Sequence, residues 1–126
     1  MNAKEIILRN FPHTNFYDGL SFLGKLNEEQ LWDIEEYWHL EWGIYNLEKN
    51  SSEKLDSEIF RIFSMIMLSI SSHLDQNDYF KIKNMKSPEL YEMRERVQLI
   101  FEGYFSDSMP EQNTFEDINP LLKSSI

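Results

Sequence analysis

The chain has 126 residues and no cysteine, and its 22 acidic against 12 basic side chains give a formal net charge of −10. Those values fit one domain of ordinary size with enough core to stand alone, and they remove disulfide frameworks, thiolate zinc sites and cysteine nucleophiles. So negative a field repels phosphates, which argues against direct binding of DNA or RNA and favours basic proteins as partners.

Charge interrupts the opening Met1-Asn2-Ala3-Lys4-Glu5, so it does not read as a signal peptide. A short first helix is expected over Ala3 to Asn10 with Ile6 and Ile7 inward, stopped by Phe11-Pro12, because the residue before proline avoids helical geometry. An aromatic-rich stretch through Phe16, Tyr17, Gly19, Phe22 and Gly24 reads as an ordered loop packed across the core. A second helix is expected from a cap at Asn27, with Gln30 in the capping-box position, to about Glu48. Leu31, Ile34, Trp38, Trp42 and Tyr45 form its main apolar stripe, and Leu40, Ile44 and Leu47 a second one.

Asn50 with Glu53, or Ser52 alone, is the expected cap of a third helix reaching about Leu74. Leu55, Ile59, Ile62, Phe63, Ile66 and Ile70 line it, while Phe60, Met65, Met67 and Leu68 widen the stripe until the middle is apolar nearly all round, as in a central helix. A buried strand over Phe60 to Ile70 is the competing reading of so short an apolar run. Its apolar core from Ile62 to Ile70 falls far short of the about 20 residues that cross a bilayer. Asp75 to Lys86 is a polar connection with a short helix expected around Tyr79, Phe80 and Ile82. Ser87-Pro88-Glu89 opens the last long helix, lined by Leu90, Met93, Val97, Ile100 and Phe101 and ended by Gly103. A final turn is expected between Thr114 and Pro120. The whole reads as a single all-α domain over residues 1–126: three long helices, short additional helices and the aromatic-rich N-terminal loop.

Catalytic signatures are sparse. Glu36-x-x-His39 has the spacing of a di-iron bundle ligand pair, but no second Glu-x-x-His occurs, and His39 can pair with Glu35 or Glu36 at the surface. Arg9 and His13 are divided by Pro12, and His73 lies at a helix end, where a positive imidazole suits the dipole. No Gly-rich phosphate loop, nucleophile elbow or His-Glu-x-x-His is present. The expectation is therefore a non-enzymatic protein without cofactor or metal. A metal-binding helical-bundle enzyme and an acidic adaptor for another basic partner stand as alternatives.

Charge is distributed unevenly. Asn27 to Glu48 holds seven acidic residues and no Lys or Arg. Like charges three and four apart destabilise a helix by about 0.2–0.5 kcal/mol per pair, so folding alone does not favour that pattern. Glu28, Glu29, Asp33 and Glu36 beside Trp32 read as a docking face for a basic partner, and Asp107 and Glu111, in a second acidic stretch from Glu102 to Asp117, as a further contact. Lys81, Lys83, Lys86, Arg94 and Arg96 form a basic belt between the two.

Three segments, Arg9-Asn10-Phe11-Pro12, Ser21-Phe22-Leu23-Gly24-Lys25-Leu26 and Trp32-Asp33-x-Glu35-Glu36-Tyr37-Trp38-x-Leu40-Glu41, resemble bacterial immunity proteins of contact-dependent growth inhibition and other polymorphic-toxin systems. The similarity covers roughly the first third of the chain. It implies a cytoplasmic inhibitor that binds a cognate toxin domain, often a nuclease, in a one-to-one complex and covers its active site. A carboxylate-rich surface suits a basic nuclease, with a ribonuclease favoured.

Overall fold

The computed structural model describes residues 1–49 and 54–123. Five α-helices follow in order: α1 Ala3–Leu8, α2 Phe22–Glu29, α3 Ile34–Asn46, α4 Asp56–Leu74 and α5 Ser87–Ser106. Single 3₁₀ turns at Gln112–Thr114 and Pro120–Leu122 end the described chain, and no strand occurs among the described residues. The class is all-α, and Phe60 to Ile70 is helical.

The helix expected from Asn27 to Glu48 is two helices. Asn27 lies inside α2, whose N-cap is Ser21, with its hydroxyl accepting from the Gly24 N–H at 3.1 Å. Gln30 takes a left-handed backbone (φ 58°) and ends α2, and Asp33 caps α3 by accepting from the Glu36 N–H at 3.1 Å. Tertiary bonds hold the break open. Lys83 N–H donates to the Gln30 carbonyl at 2.9 Å, and the Asn84 amide clamps both the N–H and the carbonyl of Trp32, each at 2.9 Å. With the register reset at Asp33, the buried face of α3 is Tyr37, Leu40, Glu41 and Ile44, while Ile34 is exposed.

The expected N-terminal loop is shorter than its aromatic content implied. Phe22 and Gly24 belong to α2, and Phe16 and Leu20 are exposed. Asn10, buried after α1, joins the two first helices: its side chain donates to the Ile6 carbonyl at 3.0 Å and accepts from the Leu23 N–H at 2.9 Å. Gly24 permits a close crossing there, since a Cβ would sit 2.7 Å from the Asp18 carbonyl oxygen.

Asn50, Ser52 and Glu53, the expected caps of α4, lie outside the described residues. In α4 one face is buried through Ile59, Ile62, Ile66 and Ile70, but Phe60 and Leu68 face solvent, so the helix is not enclosed all round. No helix of the described residues is long and apolar enough to cross a membrane. The 75–86 connection forms no helix, and Tyr79 is fully exposed. Gly103 does not end α5, which continues to Ser106 with left-handed Asp107 as its C-cap. The absent side chain at Gly103 instead admits the returning chain, for a Cβ there would stand 2.8 Å from Pro110 Cδ.

His73 is not a cation facing the helix dipole. Its Nδ1 accepts the Ile82 N–H at 2.9 Å, a role that requires the neutral ring, and burial, then the nearby Lys81 ammonium, hold its pKa below the ordinary 6.5. Because the folded state binds this proton less readily than the unfolded chain, the stabilisation is full above pH 6.5 and is lost as pH falls through the lowered value. Unfolding free energy measured by denaturant titration should therefore decline below pH 6.5 before the carboxylates titrate. His73→Ala should be less stable at neutral pH and show a flatter profile across that window.

Candidate partner-binding surface

Of the residues singled out around the second helix, Glu29, Asp33 and Glu36 all lie near the Lys25 ammonium, whereas Trp32 does not face outward. Trp32 is buried, ringed by Phe22 at 4.8 Å and Tyr37 at 6.0 Å between ring centres, and cannot serve as an exposed anchor. Its aromatic bulk went to the core because the break at Gln30 turns residue 32 inward. Asp33 bonds Lys25 Nζ at 2.6 Å, and that ammonium holds its carboxyl below the ordinary aspartate value. Glu36 meets Arg9 at 3.2 Å, and the same guanidinium binds Asp18 at 3.0 Å. The chain's own cations thus engage both residues. Glu28 is exposed and accepts from the Tyr17 hydroxyl at 3.2 Å, and Glu29 is exposed on α2. Asp107 pairs with Lys49 at 2.6 Å, while Glu111 is exposed before the first 3₁₀ turn.

His39 Nδ1 donates to the Glu35 carbonyl at 2.9 Å. Among the described residues no group of three or more His, Asp or Glu is placed to hold a metal.

Glu41, counted in sequence only as one more acid, is buried on the inner face of α3. Arg96 of α5, read as part of a basic belt, is buried against it: Nε donates to Oε1 at 2.7 Å and Nη2 to Oε2 at 2.9 Å. Tyr37, Gln112 and Asn119 also donate to that carboxylate, at 3.0, 3.2 and 3.0 Å. Burial, then the adjacent Glu41 charge, pushes the Tyr37 phenol well above its ordinary pKa, so it stays a donor. Arg96 lies between the Trp38 and Phe115 rings, 4.7 and 4.4 Å from their centres, and Nη1 donates to the Asp117 carbonyl at 2.5 Å. A sequence signal existed for Glu41, because it shares the helical spacing of Tyr37 and Ile44. Its partner, 55 residues away, had none.

This network pins the segment after α5 beside that helix and leaves a cleft of about 210 Å³ between them. Met93, Leu99 and Phe115 give it an apolar lining, and Glu92, Glu95, Glu116 and Asp117 add four carboxylates. Among the described residues Arg96 is the one cation lining it, already committed to Glu41. Glu116 and Asp117 belong to an acidic stretch visible in the sequence, but only the folded-back chain brings Glu92 and Glu95 to them.

What the fold presents is a helical scaffold with an internally neutralised core and a carboxylate-lined surface cleft, a binding protein in outline. Residues 9–116 match the sequence profile of the family described as Immunity protein 41. The chain belongs to that family and is thus a bacterial immunity protein, as the resemblance in its first third implied, and the match runs well beyond that third. Family membership implies a non-enzymatic role, binding and neutralising a cognate toxin. No curated protein and no solved structure matches the chain.

Breaking the buried pair on one side should be severe. Glu41→Gln leaves Arg96 uncompensated and should cost about 3–5 kcal/mol in urea unfolding, whereas Glu41→Leu with Arg96→Met should recover much of that loss. Additive losses in the double variant would show that the two residues do not act as a pair.

Proposed function

We propose that the chain neutralises a basic toxin domain, a nuclease and most simply a ribonuclease, in the bacterial cytoplasm by setting a carboxylate-rich surface over the toxin's phosphate-binding site in a one-to-one complex. The reading rests on family membership together with the cleft beside α5, where Glu92, Glu95, Glu116 and Asp117 stand around an apolar lining. A nuclease must present Lys and Arg to its substrate, and a cleft with spaced carboxylates offers those side chains the charge that phosphates would. Met93, Leu99 and Phe115 supply the apolar contact that converts steering into residence. Glu111 extends the acidic surface in the same segment. Asp33, Glu36 and Asp107 contribute less, because each already has a cation of its own. Delivery of the toxin by contact-dependent growth inhibition fits this reading.

The test uses the toxin domain encoded beside the chain's gene. Reversing Glu92, Glu95 and Glu116 to lysine should slow association at low salt at least about tenfold, and salt should flatten the difference from wild type. Reversing Glu28 and Glu29, on α2, should change the rate little. The opposite ranking would move the contact to α2, and a toxin domain without nuclease activity would remove the ribonuclease assignment.

A further inference from the structure

α4 and α5 pack antiparallel along one seam, where Phe63 meets Phe101 at 5.3 Å between ring centres and the Tyr104 hydroxyl donates to Asp56 at 2.9 Å. The core lies on one side of that seam, with Ile59, Ile62, Ile66 and Ile70 of α4 and Val97 and Ile100 of α5 buried there. Helical spacing puts Phe60, Ser64, Leu68 and Ser71 of α4, and Tyr91, Gln98 and Phe105 of α5, on the outward side. Phe60 is 57% exposed, Leu68 67%, Tyr91 47% and Phe105 44%. Four large apolar side chains sharing one face differ from the isolated exposures that any surface shows.

Charge identifies what covers this face. From Ile59 to Leu74 α4 carries no carboxylate, in a chain that has 22, and its one arginine is Arg61. A basic protein finds nothing to grip on that strip. Two copies that each carry −10, in contrast, repel everywhere except where negative charge is missing. The outer edge of α5 is acidic through Glu95 and Glu102, both exposed, and the outer edge of α4 carries the exposed Arg61, whose guanidinium lies 3.2 Å from His13 Nε2. A two-fold axis along the seam lays α4 of one copy antiparallel over α5 of the other at the same level, which brings Arg61 opposite Glu102 of the second copy. The face is then self-complementary in both shape class and charge.

We propose that the chain forms a two-fold homodimer through the outer face of α4 and α5, with Phe60, Leu68, Tyr91 and Phe105 packed at its centre and Arg61 paired with Glu102 across the axis. Sedimentation velocity over micromolar to hundreds of micromolar protein should give a dimer, twice the 15.2 kDa chain mass. Phe60→Glu with Leu68→Glu should shift it to monomer while circular dichroism stays helical. Arg61→Glu and Glu102→Arg should each weaken the dimer about tenfold or more, and their combination should restore it. Lysine at Glu92 and Glu116, in the cleft, should leave the dimer intact, so this inference and the toxin-binding surface fail separately. A chain that stays monomeric throughout, or a dimer unmoved by the paired glutamates, overturns the proposal. It is equally overturned if the paired glutamates abolish toxin binding by a monomer, because the face would then belong to the toxin.

Discussion

The bidentate bond between Glu41 and Arg96 is the constraint around which the molecule is arranged. Neither charge could be buried alone, since transfer of an isolated ion from water costs several kcal/mol even after relaxation. Each is therefore enclosed by further donors and acceptors: Tyr37, Gln112 and Asn119 on the carboxylate, the Asp117 carbonyl and two aromatic rings on the guanidinium. Because those groups come from α3, α5 and both 3₁₀ turns, satisfying one ion pair fixes the position of four segments. A hydrophobic pair of equal volume could match its stability but would not specify where the segment after α5 must lie. That segment forms one wall of the acidic cleft, so the buried charge determines the shape of the exposed charge.

A second consequence concerns the unequal use of cations. Arg9, Lys25, Lys49 and Arg96 each meet a carboxylate within the chain, and three of their five partners, Glu36, Asp33 and Glu41, lie at the start or inside of α3. Part of what reads in sequence as an unrelieved acidic helix is therefore balanced by the chain's own cations, while Glu28 and Glu29 stay exposed. Glu92, Glu95, Glu116 and Asp117 make no ion pair among the described residues and gather around the cleft beside the returning segment. Net charge is a property of the sequence, but the direction of the field depends on which acids the fold pairs.

Local signals were legible where local physics decides. A short α1 forms but ends at Leu8, two residues before the expected Asn10, while Pro88 sits in the first turn of α5 and the isoleucine spacing of α4 defines its buried face. The division between α2 and α3 was not legible, because Gln30 adopts a left-handed backbone that a non-glycine residue rarely takes, under bonds from Lys83 and Asn84 some 50 residues away. A single helix over residues 27–48 rotates the helical wheel and sets Trp32 beside the acidic face, whereas the structure buries it. The outer strip of α4 misled in the opposite sense: Phe60 and Leu68 implied a fully enclosed helix, and the structure leaves them uncovered. For the site, Glu28, Glu29 and Glu111 are exposed as expected, while the grouping of Glu92 with Glu116 needed the fold.

α5 carries the two surfaces that matter on adjoining faces. Its side toward the returning segment contributes Glu92 and Glu95 to the cleft, and its side toward α4 contributes Tyr91 and Phe105 to the apolar face. The two differ in what they reject. Carboxylates at the cleft disfavour an acidic partner, including another copy of the chain, and the bare α4 strip gives a basic partner no charge to engage. One helix therefore presents surfaces of opposite chemistry on its two sides, with Glu95 at the border between them. Arg96 on its inner face, anchored to Glu41, holds the helix in the rotation that sets both surfaces.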